Sequence, residues 1–313
     1  MSPAGGSHAA PVQHRAAVLG SPISHSKSPA LHAAAYGFLG AHIGYSRADV
    51  SQEQLQTFID GPGADPSWIG WSVTMPLKSA MVEHMTTLSP RVQTLGVLNT
   101  VVISSAAGGR RLHGENTDVD GIVAALRQEA AADSMAYGGS GRMAIIGAGG
   151  TAAAALGAAA ELGCADAVLY VRSPQRAASV AALAPLLGLA AEIRPLETLP
   201  ADLQTEQPCA VVSTLPPRAA DEVAGRIGET TAQNPAGGPL LLDAAYDPWP
   251  SALAQAWQRR GWPVTSGLEM LLHQAVKQVE LFTAGTEADA ARLSPAEHAH
   301  MVNLMRSALS GED

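Results

Sequence analysis

A lysine and a carboxylate placed together can deliver a proton and hold charge on an oxygen that is becoming an alkoxide. This sequence offers Lys78, at the end of Ser72-Val73-Thr74-Met75-Pro76-Leu77-Lys78, and Asp118, at the end of Glu115-Asn116-Thr117-Asp118. Thr74 and Lys78 share one short turn, and Asn99-Thr100 falls inside Val97 to Ile103, a β-branched run that reads as a strand. Upstream, Gly20-Ser21-Pro22-Ile23-Ser24-His25-Ser26-Lys27-Ser28-Pro29 crowds hydroxyls between a strand end and a helix start. Hydroxyls beside free helix N–H groups can seat a carboxylate, and serines there also serve as plain helix caps. Taken singly, each lysine, asparagine or aspartate is most often a solvated residue.

A second constellation is Gly147-Ala148-Gly149-Gly150-Thr151-Ala152, a G-x-G-x-x-[G/A] pattern. By itself the pattern is weak, and an ordinary strand-to-helix turn can carry it. Its context is stronger: Met143-Ala144-Ile145-Ile146 precedes it as a strand, an alanine-rich helix follows, and the next strand lies within one βαβ length. Gly147 permits a tight turn, Gly149 lets backbone approach a pyrophosphate, and Ala152 keeps the helix close to the sheet. The helix N-terminus offers N–H groups to the anion. The next strand ends at Val171-Arg172-Ser173 with no acidic residue to grip ribose hydroxyls. Arg172 and Arg176 offer guanidinium groups that suit a 2′-phosphate, so NADP is expected over NAD; a solvated arginine pair is the bland alternative.

These residues need elements to hold them. Ala16 to Gly20 and Trp68 to Thr74 read as strands, with helices opening at Ala30 and spanning about 52–59. Gly108-Gly109 reads as a turn. Beyond Asp118, a helix runs from Ile122 to Ala131 and Tyr137 to Gly141 forms a breaker-rich loop. Later strands are expected at 167–171, 210–214 and 240–243, a helix near Gln175, and C-terminal helices at 268–284 and 295–309. Strands alternating with helices predict an α/β fold with mainly parallel sheets.

Composition narrows the class. A chain of 313 residues that is 47% hydrophobic can fill two cores. A net charge of −9 repels phosphate backbones, so nucleic acid is not an expected partner. No stretch has the apolar length of a membrane span. Met1 to Gln13 is Ala/Gly/Pro/Ser-rich and reads as a flexible tail rather than a signal peptide. Cys164 and Cys209 lack metal or disulfide-framework spacing and read as buried thiols in a reducing cytoplasm.

In this order the motifs are specific. The G-x-P-I-x-H-S-K-S-P opening, the V-T-x-P-x-K turn, N-T at 99–100, N-T-D at 116–118, the glycine loop, and the G-L-x-M-L-x-x-Q-A helix at 267–275 together resemble shikimate dehydrogenase. The resemblance spans about residues 16–309. It implies NADP-dependent, reversible reduction of 3-dehydroshikimate to shikimate, in aromatic amino acid biosynthesis. It implies that Ser26, Ser28, Thr74 and Tyr246 surround the substrate carboxylate, and that Asn99, Asp118 and Gln274 hold ring hydroxyls. Lys78 resembles the catalytic lysine. Gly147, Ala148, Gly149, Gly150 and Thr151 resemble the pyrophosphate loop, Arg172 with Arg176 the 2′-phosphate contact, and Gly267 with Ala244 positions near the nicotinamide. Ser72 and Val171 stand where many relatives have Asn, Glu269 where a small residue is frequent, and Ala244 where a larger one is common.

Because Gln274 belongs with residues that precede Asp118, the chain is expected to cross over and return. A tail at 1–15 would precede a substrate domain of 16–118 plus 267–313, with a Rossmann domain at 119–266. Lysine is ammonium near neutral pH and a nearby carboxylate keeps it so, which favours proton donation in the reductive direction. Small molecules are then the partners, in a cytoplasmic monomer or homodimer. The rival readings are an NAD-dependent quinate/shikimate dehydrogenase and a non-catalytic dinucleotide sensor, which has no use for a proton donor.

Overall fold

In a computed structural model, residues 14–106, 109–133, 141–229 and 238–311 are described. Six strands make the first sheet: β1 (His14–Gly20), β2 (Ile43–Asp49), β3 (Trp68–Val73), β4 (Thr87–Leu88), β5 (Thr100–Ala106) and β6 (Gly109–Glu115), in the order β2-β1-β3-β5-β6-β4. β1 is central because Ala16 to Leu19 is an unbroken buried run, as a strand covered on both faces must be. It pairs in parallel with β2 and β3. β5 is antiparallel to β3 and to β6, because a short connection to β6 can only turn the chain back. Of the expected Gly108-Gly109 turn, residue 108 lies outside the described residues, and Gly109 opens β6 with φ of 101°.

The second sheet holds β7 (Arg142–Ile146), β8 (Asp166–Val171), β9 (Ala190–Pro195), β10 (Ala210–Ser213), β11 (Leu240–Asp243) and β12 (Val264–Ser266), all parallel, in the order β12-β11-β10-β7-β8-β9. This is the doubly wound order. The chain reverses its direction of travel between β7 and β10, so a crevice opens at their carboxyl ends.

Helices α1 (Ser28–Leu39), α2 (Leu55–Asp60), α3 (Leu77–Ala80) and α4 (Pro90–Leu95) accompany the first sheet. The chain leaves it through α5 (Asp118–Asp133). Around the second sheet run α6 (Gly150–Glu161), α7 (Pro174–Ala181), α8 (Leu199–Thr205), α9 (Asp221–Glu229) and α10 (Ala252–Arg259). Ala152 to Ala159 of α6 are all buried, so small side chains let that helix lie close to the sheet. The return runs through α11 (Gly267–Thr283), packed on α5 and α1, and α12 (Pro295–Ser310), packed on α1. A Cβ on Gly121 of α5 would come within 2.6 Å of the Met270 carbonyl oxygen, so glycine is what permits this close crossing.

Several sequence expectations shift. The tail expected over 1–15 loses its last two residues, because His14 and Arg15 already pair with Ile43 and Gly44 in β1. Asn99 lies just ahead of β5 rather than inside a strand beginning at Val97. The helix expected from Ile122 begins at Asp118, with the Asn116 side-chain oxygen accepting the Asp118 N–H at 3.1 Å. Most of the Tyr137 to Gly141 loop lies outside the described residues. Cys164 is buried, Cys209 is half-buried, and their sulfurs stand 3.6 Å apart as free thiols.

Candidate active site

The site begins where β1 stops. A Cβ on Gly20 would stand 2.8 Å from the Met75 carbonyl oxygen, so the β1 and β3 ends can close on each other only with glycine there. The loop then brings Ser26 to the start of α1, where its hydroxyl accepts the Ser28 N–H at 3.3 Å and donates to Ser28 Oγ at 3.2 Å. Thr74 follows β3, its N–H bonded to the Leu19 carbonyl at 2.9 Å. Both serines and Thr74 line one cavity of about 300 Å³.

Lys78, in α3, reaches the same cavity and pairs with Asp118 Oδ2. The two side chains are 17% and 5% exposed, so the pair is largely shielded from screening by solvent. Asn99 fixes the carboxylate. Its Oδ1 accepts the Thr117 backbone N–H at 2.7 Å, a group that can only donate, so its Nδ2 must face Asp118 Oδ1, at 2.9 Å. Nδ2 also donates to Gln274 Oε1 at 3.2 Å, which draws α11 into the cluster. Asp118 opens α5, where the helix dipole favours a negative charge. Tyr246, Ala244 and Gly267 complete the wall, with burial raising the Tyr246 phenol above its ordinary range. Gly267 is glycine because a Cβ there would collide with the Ala244 carbonyl.

The glycine loop comes from the other side. Gly147 has φ of 120°, and a side chain there would also strike Thr214 Oγ1. Gly149 caps α6 with nothing near the position of a Cβ, so its surface is open to a ligand. A second cavity of about 520 Å³ runs along Ala148, Gly149, Gly150 and Thr151. Thr74, Lys78 and Thr151 border both cavities, and a Cβ on Gly150 would stand 3.7 Å from Lys78 Cβ. The loop's open backbone, the α6 N-terminus and the crevice position fit a dinucleotide.

Not every expected residue converges. Arg172 is exposed and borders a third cavity of about 380 Å³ with Glu197, Glu222 and Arg226, while Arg176 is exposed and lines none of these three. Conversely, Gln278 was not foreseen. It is buried beneath the first cavity, accepts from Ser72 Oγ at 2.7 Å, and donates to the Asn99 carbonyl at 3.2 Å and to Thr100 Oγ1 at 2.9 Å. Its signal in the sequence is position: four residues after Gln274, on the same helix face.

A lysine–carboxylate pair between a small polar cavity and a dinucleotide crevice defines a nicotinamide-dependent oxidoreductase. Residues 18–101 match the shikimate dehydrogenase substrate binding domain, and residues 267–292 the shikimate 5′-dehydrogenase C-terminal domain. The chain is 34% identical over 266 residues to a shikimate dehydrogenase (NADP(+)) of Methylobacterium radiotolerans, covering 85% of this chain and 90% of that one. It resembles the crystal structure of Mycobacterium tuberculosis shikimate dehydrogenase with TM-score 0.76 and 36% identity, over 96% of this chain and 100% of that one. It also resembles the Thermus thermophilus shikimate 5-dehydrogenase in complex with NADP(H) and shikimate, with TM-score 0.70 and 28% identity, over 94% and 99%. The chain belongs to the shikimate dehydrogenase family.

Proposed function

We propose that this protein interconverts 3-dehydroshikimate and shikimate with NADP(H), in the cytoplasm. The observation that carries the reading is the position of Lys78, paired with Asp118 and bordering both cavities. When bound, NADPH supplies a hydride to the carbonyl carbon of the substrate. Reduction then consumes one proton, which must reach the carbonyl oxygen as its charge develops. Lys78 stands where it can give that proton, and Asp118 holds the ammonium in place. A positioned acid of this kind contributes about 10²–10⁴-fold in rate.

The surrounding residues bind and orient. Ser26, Ser28, Thr74 and Tyr246 supply hydroxyls for the substrate carboxylate, at the end of the cavity where β1 and β3 close. Asn99, Asp118 and Gln274 face the ring hydroxyls. Gly147 to Thr151 hold the pyrophosphate, Ala244 and Gly267 flank the nicotinamide side, and Arg172 with Arg176 supplies cations for the 2′-phosphate. Residues 16–118 with 267–313 then form the substrate side and 119–266 the dinucleotide side, which explains why α11 returns to the first sheet.

The test is an assay of the purified protein with 3-dehydroshikimate and NADPH, read by loss of NADPH absorbance and repeated with NADH. Turnover with strong preference for NADPH supports the reading. Absence of turnover with either cofactor overturns it, and preference for NADH overturns the assignment of Arg172.

A further inference from the structure

The edge strand β2 sends two side chains to the loop that carries Ser26 and Ser28. Tyr45 and Arg47 are two residues apart, so both leave the strand on one face. The Arg47 guanidinium donates twice to the Ser26 carbonyl oxygen, from Nε at 2.9 Å and from Nη2 at 2.5 Å. The Tyr45 hydroxyl donates to Ser72 Oγ at 2.7 Å, and the Ser28 hydroxyl bonds to the same phenol oxygen. One strand therefore grips the loop at its backbone and at its second serine.

The Tyr45 ring is held in place. It stacks on His32 with centroids 3.9 Å apart and planes 9° apart. His32 is itself fixed, by Tyr36 at 3.1 Å and Gln278 Oε1 at 3.3 Å. The hydrogen bonds also have a direction. The Gln278 amide N–H groups are spent on Asn99 and Thr100, so Oε1 is an acceptor and Ser72 must donate to it. Ser72 then accepts from Tyr45, and the free lone pairs of Tyr45 face Ser28. A line of hydroxyls thus runs from Ser26 through Ser28, Tyr45 and Ser72 to Gln278, which bonds the backbone of Asn99. Burial holds the Tyr45 phenol protonated, which keeps it a donor at any working pH.

We propose that Tyr45 and Arg47 are positioning residues for the acid-binding hydroxyls, setting affinity for a carboxylate-bearing substrate without touching it. The inference rests on the proposed function. In its terms, Tyr45 couples the carboxylate end of the substrate to the cluster around Asn99, and Arg47 keeps the loop from drifting.

The experiment compares wild type, Tyr45→Phe and Arg47→Met in steady-state reduction of 3-dehydroshikimate and of its methyl ester. Tyr45→Phe keeps the stacked ring and removes only the hydroxyl. Both variants should raise KM for the acid by roughly three- to tenfold, the loss of one to two neutral hydrogen bonds. Turnover number and KM for NADPH should stay within about twofold. The preference for acid over ester in kcat/KM should shrink, and Arg47→Lys should restore part of it. A purely structural role would instead lower turnover for acid and ester alike and leave that preference intact. An active wild type with unchanged variants, or with preference intact, overturns this inference alone. A wild type inert toward the acid overturns the functional reading and this inference with it. Should Arg47→Met fail to fold, Tyr45→Phe decides.

Discussion

The Asn99 side-chain amide donates to Asp118 Oδ1 at 2.9 Å, which leaves the other carboxylate oxygen to the Lys78 ammonium. Each partner of the pair is oriented by a group that cannot reverse its role. The Thr117 N–H fixes the asparagine, and the asparagine fixes the aspartate.

Replacing Asn99 by Leu tests that chain of orientation. The substitution leaves the Thr117 N–H and one Asp118 oxygen buried without partners, at a cost of about 1–3 kcal/mol. Urea unfolding should show that loss, and KM for 3-dehydroshikimate should rise while NADPH affinity holds. Unchanged stability and KM would mean that the asparagine does not orient the pair.

Gly121 tests how the return helix builds the site. Gly121→Val places side-chain atoms against the Met270 carbonyl and Gln274 and pushes α11 from α5. Overpacking of this kind costs about 1–3 kcal/mol. Stability should fall by that amount, and KM for the substrate should rise more than KM for NADPH, because Gln274 faces the first cavity. Equal effects on both constants would place the coupling elsewhere.

Arg172 separates the cofactors. It is exposed at the end of β8, beside Glu197 and Glu222. Arg172→Ala should weaken NADPH binding by roughly ten- to a hundredfold, the scale of a charge-assisted contact to phosphate, and leave NADH binding unaltered. Equal loss for both cofactors would assign the arginine to the fold rather than to the 2′-phosphate.

His32 sets a pH dependence of stability. Burial lowers its pKa from 6.5 to about 3. Between those values the unfolded chain binds a proton that the folded protein refuses. Stability is therefore full above pH 6.5 and falls as pH drops through the window, by about 1.4 kcal/mol per pH unit for the one proton. His273 is shifted in the same direction, by burial, and adds to the slope. His32→Gln should be less stable near pH 7.5 and yet show a shallower slope below pH 6.5. An identical slope would contradict the neutral, buried assignment.

The residues that touch ligands were the legible ones, because hydroxyls, a lysine and an aspartate at fixed spacing are chemically distinctive. The doubly wound sheet was legible too, since its strands are buried on both faces and read as apolar runs. The polar strands were not. Ile43–Asp49 and Gly109–Glu115 carry charges and glycines and form strands through their neighbours' hydrogen bonds, not through their own pattern. For the same reason Tyr45, Arg47 and Gln278 escaped notice. Their importance lies in contacts between residues as far apart as Ser72 and Gln278, which no local spacing announces. Arg172 and Arg176 were identifiable as a pair, but the structure places them at different surroundings.

The most direct test of the central claim is Lys78→Met, measured for turnover of 3-dehydroshikimate and, separately, for NADPH binding by fluorescence titration. The account predicts a loss of turnover of about 10²–10⁴-fold, with NADPH affinity within about twofold of wild type. Turnover that survives unchanged in a variant that binds NADPH normally would contradict it.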